Sequence, residues 1–352
     1  MKHAYKKILI IQTAFLGDVI LITALIRAVR QLFPESKIDV LVIPETAPVL
    51  QNNPHLNQVI QFNKRGKKLL EFIKTARLLR RTGYDLAISP HSSLTSAYLM
   101  RAAGIRERLG YDRWRASRQL TMKVLHRHPE SHRRPVHKIE KLLRLLSVFS
   151  GQNFEIQTEL FPTDEMRQMA KKWLSHLENS GKPIIAIAPG SVWNTKKWPE
   201  EYYNKLSKML HAAGYGLVFL GGKSDRALCR RILENTGPNS RNFAGELSIL
   251  ESAAVLEQCR LLICNDSAPL HLANAVQTDV FAFFGPTVKR FGYFPFRPND
   301  RVLEIDLECR PCSSHGGARC PLKHFHCMRK IQPETVFREI EDYLKQGNQG
   351  GS

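Results

Sequence analysis

Asp18 closes the stretch Gln12-Thr13-Ala14-Phe15-Leu16-Gly17-Asp18, which follows one apolar run and opens another. Gly17 permits a tight turn there, and backbone N–H groups at a helix start can hold an anion. A carboxylate in a first helical turn caps the helix and complements its dipole, or it takes a proton from a substrate. The spacing alone leaves both uses open. No G-x-G-x-x-G accompanies it, so a dinucleotide site of the usual kind is not supported.

A second group of residues lies in the other half of the chain. Pro189-Gly190-Ser191 is followed by Asn194-Thr195-Lys196-Lys197-Trp198-Pro199-Glu200, in which Pro199 suits the first turn of a helix. Small residues at a strand end, with lysines just ahead of a helix, suit a diphosphate cradle; a plain loop with solvated lysines is the competing reading. Gly221-Gly222-Lys223-Ser224-Asp225 adds an acidic residue just past a strand, where ribose hydroxyls can be bound. The strongest local signal is Asn265-Asp266-Ser267-Ala268-Pro269-Leu270-His271-Leu272-Ala273-Asn274-Ala275. Its small residues at a helix start offer N–H groups to phosphate, and His271 lies one turn beyond Ser267 on the same face. An N-capped helix with His271 satisfied by a carbonyl is the bland alternative. Phe284-Gly285-Pro286-Thr287 makes a fourth loop on the same edge.

The elements that must position these loops read as alternating strands and helices. In the first half the pattern predicts strands at Ile8 to Ile11, Ile38 to Ile43, Val59 to Phe62 and Leu86 to Ser89, with helices after Val19, from Ala47 and over Lys67 to Arg81. The Arg-rich segment Arg101 to Arg134, which holds Tyr111 and Trp114, departs from it, and an amphipathic helix is expected near Val136 to Phe149. After a linker with Gly151, Pro162 and Asp164 come a helix over Glu165 to Leu177 and strands at Ile184 to Ala188, Leu217 to Leu220, Leu261 to Cys264 and Val280 to Phe284. Such alternation means two doubly wound α/β halves, whose ligands bind outside the carboxyl ends of the strands. Gly347 to Ser352 reads as a flexible tail.

Composition narrows the partners. The 352 residues suit about two domains, and 43% hydrophobic with 24% charged residues is ordinary for a soluble chain. Lys and Arg number 52 against 32 Asp and Glu, a formal net charge of +20, so an anionic partner is expected. Ile8 to Ile26 carries only Asp18 and imitates an anchor. A central Asp costs about 3 kcal/mol on insertion, and the polar break Gln12 to Asp18 divides the run into strand, loop and helix. Seven cysteines, an odd number, exclude a disulfide scaffold. Cys309, Cys312, Cys320 and Cys327 follow a C-x2-C-x7-C-x6-C spacing. That spacing suits a structural zinc less well than free or redox-linked thiols, and no proposed chemistry requires a metal.

In this order the Ile8 to Asp18 stretch, the Pro189 to Pro199 block, the Asn265 to Ala273 block and Phe284 to Thr287 resemble glycosyltransferase family nine, the ADP-heptose:lipopolysaccharide heptosyltransferases. The resemblance spans nearly the whole chain, and the cysteine-bearing tail is similar to that of the heptosyltransferase II branch. It implies a GT-B fold of two Rossmann-like domains facing a cleft. Residues 1–160 would bind the acceptor; residues 161–352 would bind the nucleotide sugar and include a terminal helix crossing back. It further implies an inverting transfer of L-glycero-D-manno-heptose from ADP-heptose, without cofactor or metal. The acceptor would be Kdo-lipid A or heptosyl-Kdo-lipid A on the cytoplasmic leaflet, with the enzyme in peripheral contact with an anionic inner membrane.

Position by position, the resemblance makes Asp18 the general base and Lys196 the phosphate contact, with Gly190 and Ser191 in the same donor loop. Asp225 takes the ribose position, where the family often has Glu. Asp266 would face the sugar, Ser267 and Ala268 would offer N–H groups to the diphosphate, and His271 would stand close by; the family more often has Gly at position 268. Arg101, Arg106, Arg108, Arg113, Arg115 and Arg118 form a pool from which acceptor contacts would be drawn. Two rivals have less behind them. A nucleic-acid-binding protein explains the charge but lacks a helix-turn-helix or an interleaved aromatic and basic surface. An epimerase or dehydrogenase on the same layout lacks the glycine fingerprint.

Overall fold

The computed structural model describes residues 4–64, 68–113, 115–177, 181–234 and 236–349, with side chains in the last helix described as far as 346. Trp114 and Gly350 to Ser352 lie outside the described residues. The chain divides into two units, Met1–Phe161 and Pro162–Ser352.

The first unit runs β1 (Lys7–Ile11), α1 (Leu16–Leu32), β2 (Lys37–Val42), β3 (Gln58–Gln61), α2 (Lys68–Thr82), β4 (Leu86–Ser89), α3 (Leu94–Ala102), β5 (Glu107–Asp112), β6 (Met122–Leu125) and α4 (Lys138–Leu143). The second unit runs α5 (Asp164–Leu174), β7 (Ile184–Ala188), α6 (Glu200–Ala212), β8 (Gly216–Phe219), α7 (Arg226–Leu233), β9 (Ser240–Asn242), α8 (Ile249–Glu257), β10 (Leu261–Asn265), α9 (Ala268–Ala275), β11 (Asp279–Phe283), β12 (Arg301–Leu303), α10 (His326–Arg329) and α11 (Pro333–Gln349). Their sheets are ordered β3-β2-β1-β4-β5-β6 and β12-β11-β10-β7-β8-β9, with every pairing parallel. Each is the doubly wound order of a Rossmann domain, reversing direction between β1 and β4 and between β7 and β10. Two such domains make the GT-B fold.

Central strands are buried on both faces because helices cover both, so they read as unbroken apolar runs such as Ile184–Ala188. The same logic explains the anchor-like start. Residues Val19 to Ile26 of α1 are buried from end to end, and α4 packs against the helix. An all-apolar helix here is a covered core helix. Among the described residues no helix is long and apolar enough to cross a membrane.

Several expectations are corrected. The helix expected from Ala47 is a single 3-10 stretch, Pro44–Leu50, because Pro48 inside it has no N–H to give. The helix near Val136 to Phe149 is shorter: α4 starts where the His137 ring accepts from the Ile139 N–H and Glu140 accepts from the His137 N–H, and it passes at Arg144 into a 3-10 turn. The Arg-rich segment does not leave the sheet but extends it as β5 and β6. Only Leu109, Gly110, Tyr111 and Val124 are buried there, too few to show a strand period. Gly347 to Gln349 continue α11 rather than a loose tail. That helix is fixed within the second unit: Tyr215 donates to Glu341 at 2.6 Å, and Tyr343 donates to buried Asp279 at 2.7 Å.

Trp198 joins the core of the second unit to its final segment. It is stacked on Phe283 with ring centroids 4.2 Å apart, and its indole N–H donates to the Ile331 carbonyl at 3.0 Å. Trp198→Phe keeps a ring on Phe283 but leaves that buried carbonyl without its donor. Urea unfolding followed by circular dichroism should show a loss of about 1–3 kcal/mol; an unchanged midpoint would mean that water replaces the indole.

Candidate active site

In the second unit the sequence-selected loops converge on the side chain of Asn265, the last residue of β10. Its Oδ1 accepts from the Trp198 N–H at 2.9 Å and the Tyr203 hydroxyl at 3.1 Å. Its Nδ2 donates to the Pro189 carbonyl at 2.8 Å and the Gly190 carbonyl at 3.3 Å. An amide has two acceptor and two donor positions, and all four are used. The Pro189 to Trp198 loop is thereby tied to the end of the neighbouring strand, where the sheet order reverses.

Glycine at position 190 makes room for the Asp225 carboxylate. A Cβ built on it would lie 2.4 Å from the Asp225 carboxylate. Asp225 also lies close to Gly221, where an added Cβ would come within 2.8 Å of it, and it accepts the Gly222 N–H at 2.9 Å. The carboxylate expected at the ribose is therefore also the brace between the loops after β7 and β8. Ser191 accepts the Trp193 N–H at 3.4 Å and shapes the loop leading to Lys196.

Lys196 and Asp266 form an ion pair, Nζ to Oδ2 2.6 Å, with both side chains largely buried. Thr287 donates to the same carboxylate oxygen at 2.6 Å. A buried carboxylate held by a cation and a hydroxyl stays in place, and the ammonium keeps further N–H donors for another anion. Beside it α9 begins. Its N-cap, Ser267, gives no side-chain cap; the hydroxyl instead faces the carbonyls of Gly190, 3.4 Å away, and Asn265, 3.3 Å away. Ala268 is the first residue of the helix and Pro269 the second. Such a terminus carries partial positive charge and suits an anion.

His271 lies one turn further on, buried, edge-on to Tyr293 with ring centroids 6.3 Å apart. Burial, and secondarily the Lys196 ammonium, pushes its imidazolium down to about 3, so the ring is neutral near pH 7. Its Nδ1 has no hydrogen-bond partner among the described residues. The satisfied backbone contact of the bland reading is not made at that atom.

Two supports lay outside the sequence reading. Arg310, largely buried, donates to the carbonyls of Phe284 at 3.0 Å and Thr287 at 2.9 Å and pairs with Glu304 at 2.8 Å, fixing the loop that carries Thr287. Thr195 donates to the Gly317 carbonyl at 3.0 Å and accepts its N–H at 2.7 Å. The cysteine-bearing segment thus braces the loops of Lys196 and Thr287. Burial pushes its Cys327 thiol up to about 11, with Cys309, Cys312 and Cys320 within electrostatic reach. No group of three or more His, Cys, Asp or Glu among the described residues is placed to hold a metal ion.

In the first unit, Asp18 stands in the first turn of α1, three positions after an N-cap residue, Phe15, that caps with no side chain. His91, two residues past β4, and Lys138, the first residue of α4, both feel its charge. His91 loses basicity chiefly through desolvation, which Asp18 opposes and Lys138, Lys64 and Arg113 reinforce. Lys138 is likewise lowered by desolvation and supported by Asp18. Its Nζ lies 6.0 Å from the Tyr111 ring centroid. Lys64 donates to the Thr13 carbonyl at 2.9 Å. Lys64 and His91 follow β3 and β4, so the carboxyl-end rule alone would have marked them.

The arginine pool divides. Arg108 donates to the carbonyls of Gln119, Ile105 and Arg106, and Arg101 donates to the Gln119 side chain at 2.7 Å, so these two brace the β5 to β6 connection. Arg113 meets His126 at 3.2 Å, and Arg106, Arg115 and Arg118 are exposed.

A pair of Rossmann domains in the GT-B fold is an architecture that glycosyltransferases use. The sequence profile of glycosyltransferase family 9 (heptosyltransferase) matches residues 72–324, and the chain belongs to that family. It is 27% identical to lipopolysaccharide heptosyltransferase 2 of Escherichia coli K12, over 97% of this chain and 99% of that protein. It is 28% identical to an E. coli lipopolysaccharide heptosyltransferase 3, over 78% and 82%. Among solved structures it is similar to E. coli ADP-heptose lps heptosyltransferase II, with a TM-score of 0.79 and 24% identity over 97% and 99%. A glycosyl transferase family 9 protein of Veillonella parvula superposes with a TM-score of 0.81 and 22% identity over 98% and 99%.

Asn265→Asp tests the hub. It replaces the two donors with an oxygen facing two carbonyls, and should cost about 3 kcal/mol or more in stability and weaken ADP binding in calorimetry. Unchanged ADP affinity would detach the hub from the nucleotide.

Proposed function

We propose that this enzyme transfers L-glycero-D-manno-heptose from ADP-heptose to the lipopolysaccharide inner core, adding the second heptose, with inversion and without a metal ion. The observation that carries the donor side is the grouping of Lys196, the uncapped start of α9 and the unpartnered His271 Nδ1 at one strand edge. These are a cation, N–H groups and a neutral imidazole, the complement of a diphosphate with a polyhydroxyl sugar attached. The near full-length relation to heptosyltransferase 2 supports the acceptor.

In this mechanism Asp18 takes the proton of the acceptor hydroxyl as that oxygen attacks the anomeric carbon from the face opposite the diphosphate. The bond from the anomeric carbon to the β-phosphate oxygen breaks, and its electrons stay on ADP. Lys196 and the N–H groups of Ser267 and Ala268 stabilise that charge, doing the work a metal ion does elsewhere. Asp266, fixed by Lys196 and Thr287, presents its remaining lone pairs to sugar hydroxyls, and Asp225 takes a ribose hydroxyl. Lys64, Arg113 and Lys138, which all act on His91 beside Asp18, favour an acceptor that carries carboxylates and phosphates. Such an acceptor is anchored in the cytoplasmic leaflet, which places the enzyme in the cytoplasm, peripheral to that membrane.

Incubating the purified enzyme with ADP-heptose and with heptose-free, monoheptosylated or diheptosylated core, and weighing the products by mass spectrometry, discriminates the acceptors. Addition to the monoheptosylated core alone is expected; addition to one of the others would reassign the enzyme to the first or third heptose, and no product with any of them would overturn the proposal.

Asp18→Asn should bind ADP normally and turn over about 10²–10⁴-fold more slowly. Near-normal turnover would return Asp18 to a helix-terminal role.

A further inference from the structure

The outward face of α2 is unlike the rest of the first unit. Thr75, Ala76 and Leu79 are buried against the sheet, yet Leu69, Leu70, Ile73 and Leu78 remain 71%, 49%, 37% and 48% exposed. At about 100° per residue these four spread across the outward half of the helix, Leu69 and Leu78 at its two flanks, interleaved with Lys74, Arg77, Arg80 and Arg81, all exposed. Glu71 is the one acidic residue of α2, and it pairs with Lys74 at 3.5 Å. Neighbouring α3 continues the surface. It packs beside α2 on the same core, through Ala97 and Met100, and exposes Leu94 and Tyr98, four residues apart, at 46% and 48%. Leu69 and Leu70 follow the carboxyl end of β3, Leu94 follows that of β4, and Phe15, 78% exposed, follows that of β1. In a parallel sheet these ends share one edge, which is the edge that carries Asp18.

We infer that the outer faces of α2 and α3, with Phe15 at their edge, form the surface by which the enzyme lies on an anionic phospholipid bilayer. A helix with aliphatic side chains interleaved with Lys and Arg suits the boundary between headgroups and acyl chains. The aliphatics enter the boundary, while the long basic side chains extend to the phosphates. A second copy of the chain is a worse occupant, since a two-fold contact through this face would set Arg77 and Arg81 against their own counterparts. The inference rests on the proposed lipid-anchored acceptor for its purpose. It adds a place: the bilayer meets the edge where Asp18 stands, so an acceptor reaches the base without leaving the leaflet.

The test is flotation of the full-length protein with vesicles of phosphatidylethanolamine and phosphatidylglycerol, or of phosphatidylcholine alone. The variants are Leu70→Ser with Ile73→Ser, and separately Arg77→Gln with Arg81→Gln. The wild type should float with the anionic vesicles only, and raised salt should release it. Each double variant should lower its partitioning about tenfold, with turnover on a deacylated, soluble acceptor unchanged. Wild type that stays unbound, or both variants floating like wild type, would overturn the inference. So would a concentration-dependent dimer in sedimentation that either double substitution abolishes. Loss of flotation in the variants together with no transfer to any core acceptor would keep the docking surface and remove the acceptor assignment instead.

Discussion

The strand edge of the second unit depends on one amide. Asn265 sits where the sheet order reverses, and its four hydrogen bonds hold the loop after β7 against the end of β10. Loops at a strand edge are otherwise free to move, and a phosphate site needs N–H groups fixed before the ligand arrives. A fully satisfied buried amide provides that order at no cost in unpaired polar groups. An ionised side chain of the same shape would not, since a carboxylate has no donor for the two carbonyls.

Around this hub the charges are placed for exchange. Lys196 is already paired with Asp266, and Thr287 shares the load on the carboxylate. Burying the ammonium alone would be expensive, and burying the carboxylate alone equally so. Paired, each offsets the burial of the other, and the lysine keeps N–H groups that can turn to a further anion. His271 contributes differently. Because burial keeps it neutral, it adds no charge to the site and leaves a lone pair or an N–H for a hydroxyl. Around His91 in the first unit the balance is the opposite, with the Asp18 carboxylate facing Lys64, Arg113 and Lys138.

How much of this could be read from the chain follows from where the residues lie. The apolar strands of the sheet centres are legible because helices cover both faces. β5 and β6 are not, because these short strands at one end of the sheet bury only four positions between them, too few to show a period. Lys196 and Asp266 stand within loops whose small residues signal close backbone approach, and Asp18 and His271 stand in the first turns of the helices that follow such loops. Lys64, His91 and Lys138 carry no such local signature, and only the topology assembles them. The dual position of Asp225, and the division of the arginines into braces and exposed side chains, depend on neighbours distant in sequence and so needed coordinates. Arg310 and Gly317 belong to the same class, hidden in a segment whose cysteines drew attention to metal chemistry instead.

Those last contacts have a consequence for how the enzyme comes into being. The Lys196 loop leans on Gly317, the Thr287 loop hangs from Arg310, and the Trp198 indole reaches Ile331. During synthesis from the amino terminus, the first unit is complete long before any of these partners has left the ribosome. The first unit can therefore fold early, whereas the strand-edge loops of the second stay unfinished until Arg310 to Ile331 have emerged. A product terminated before Arg310 would keep the first unit and leave the Lys196 and Thr287 loops without their supports.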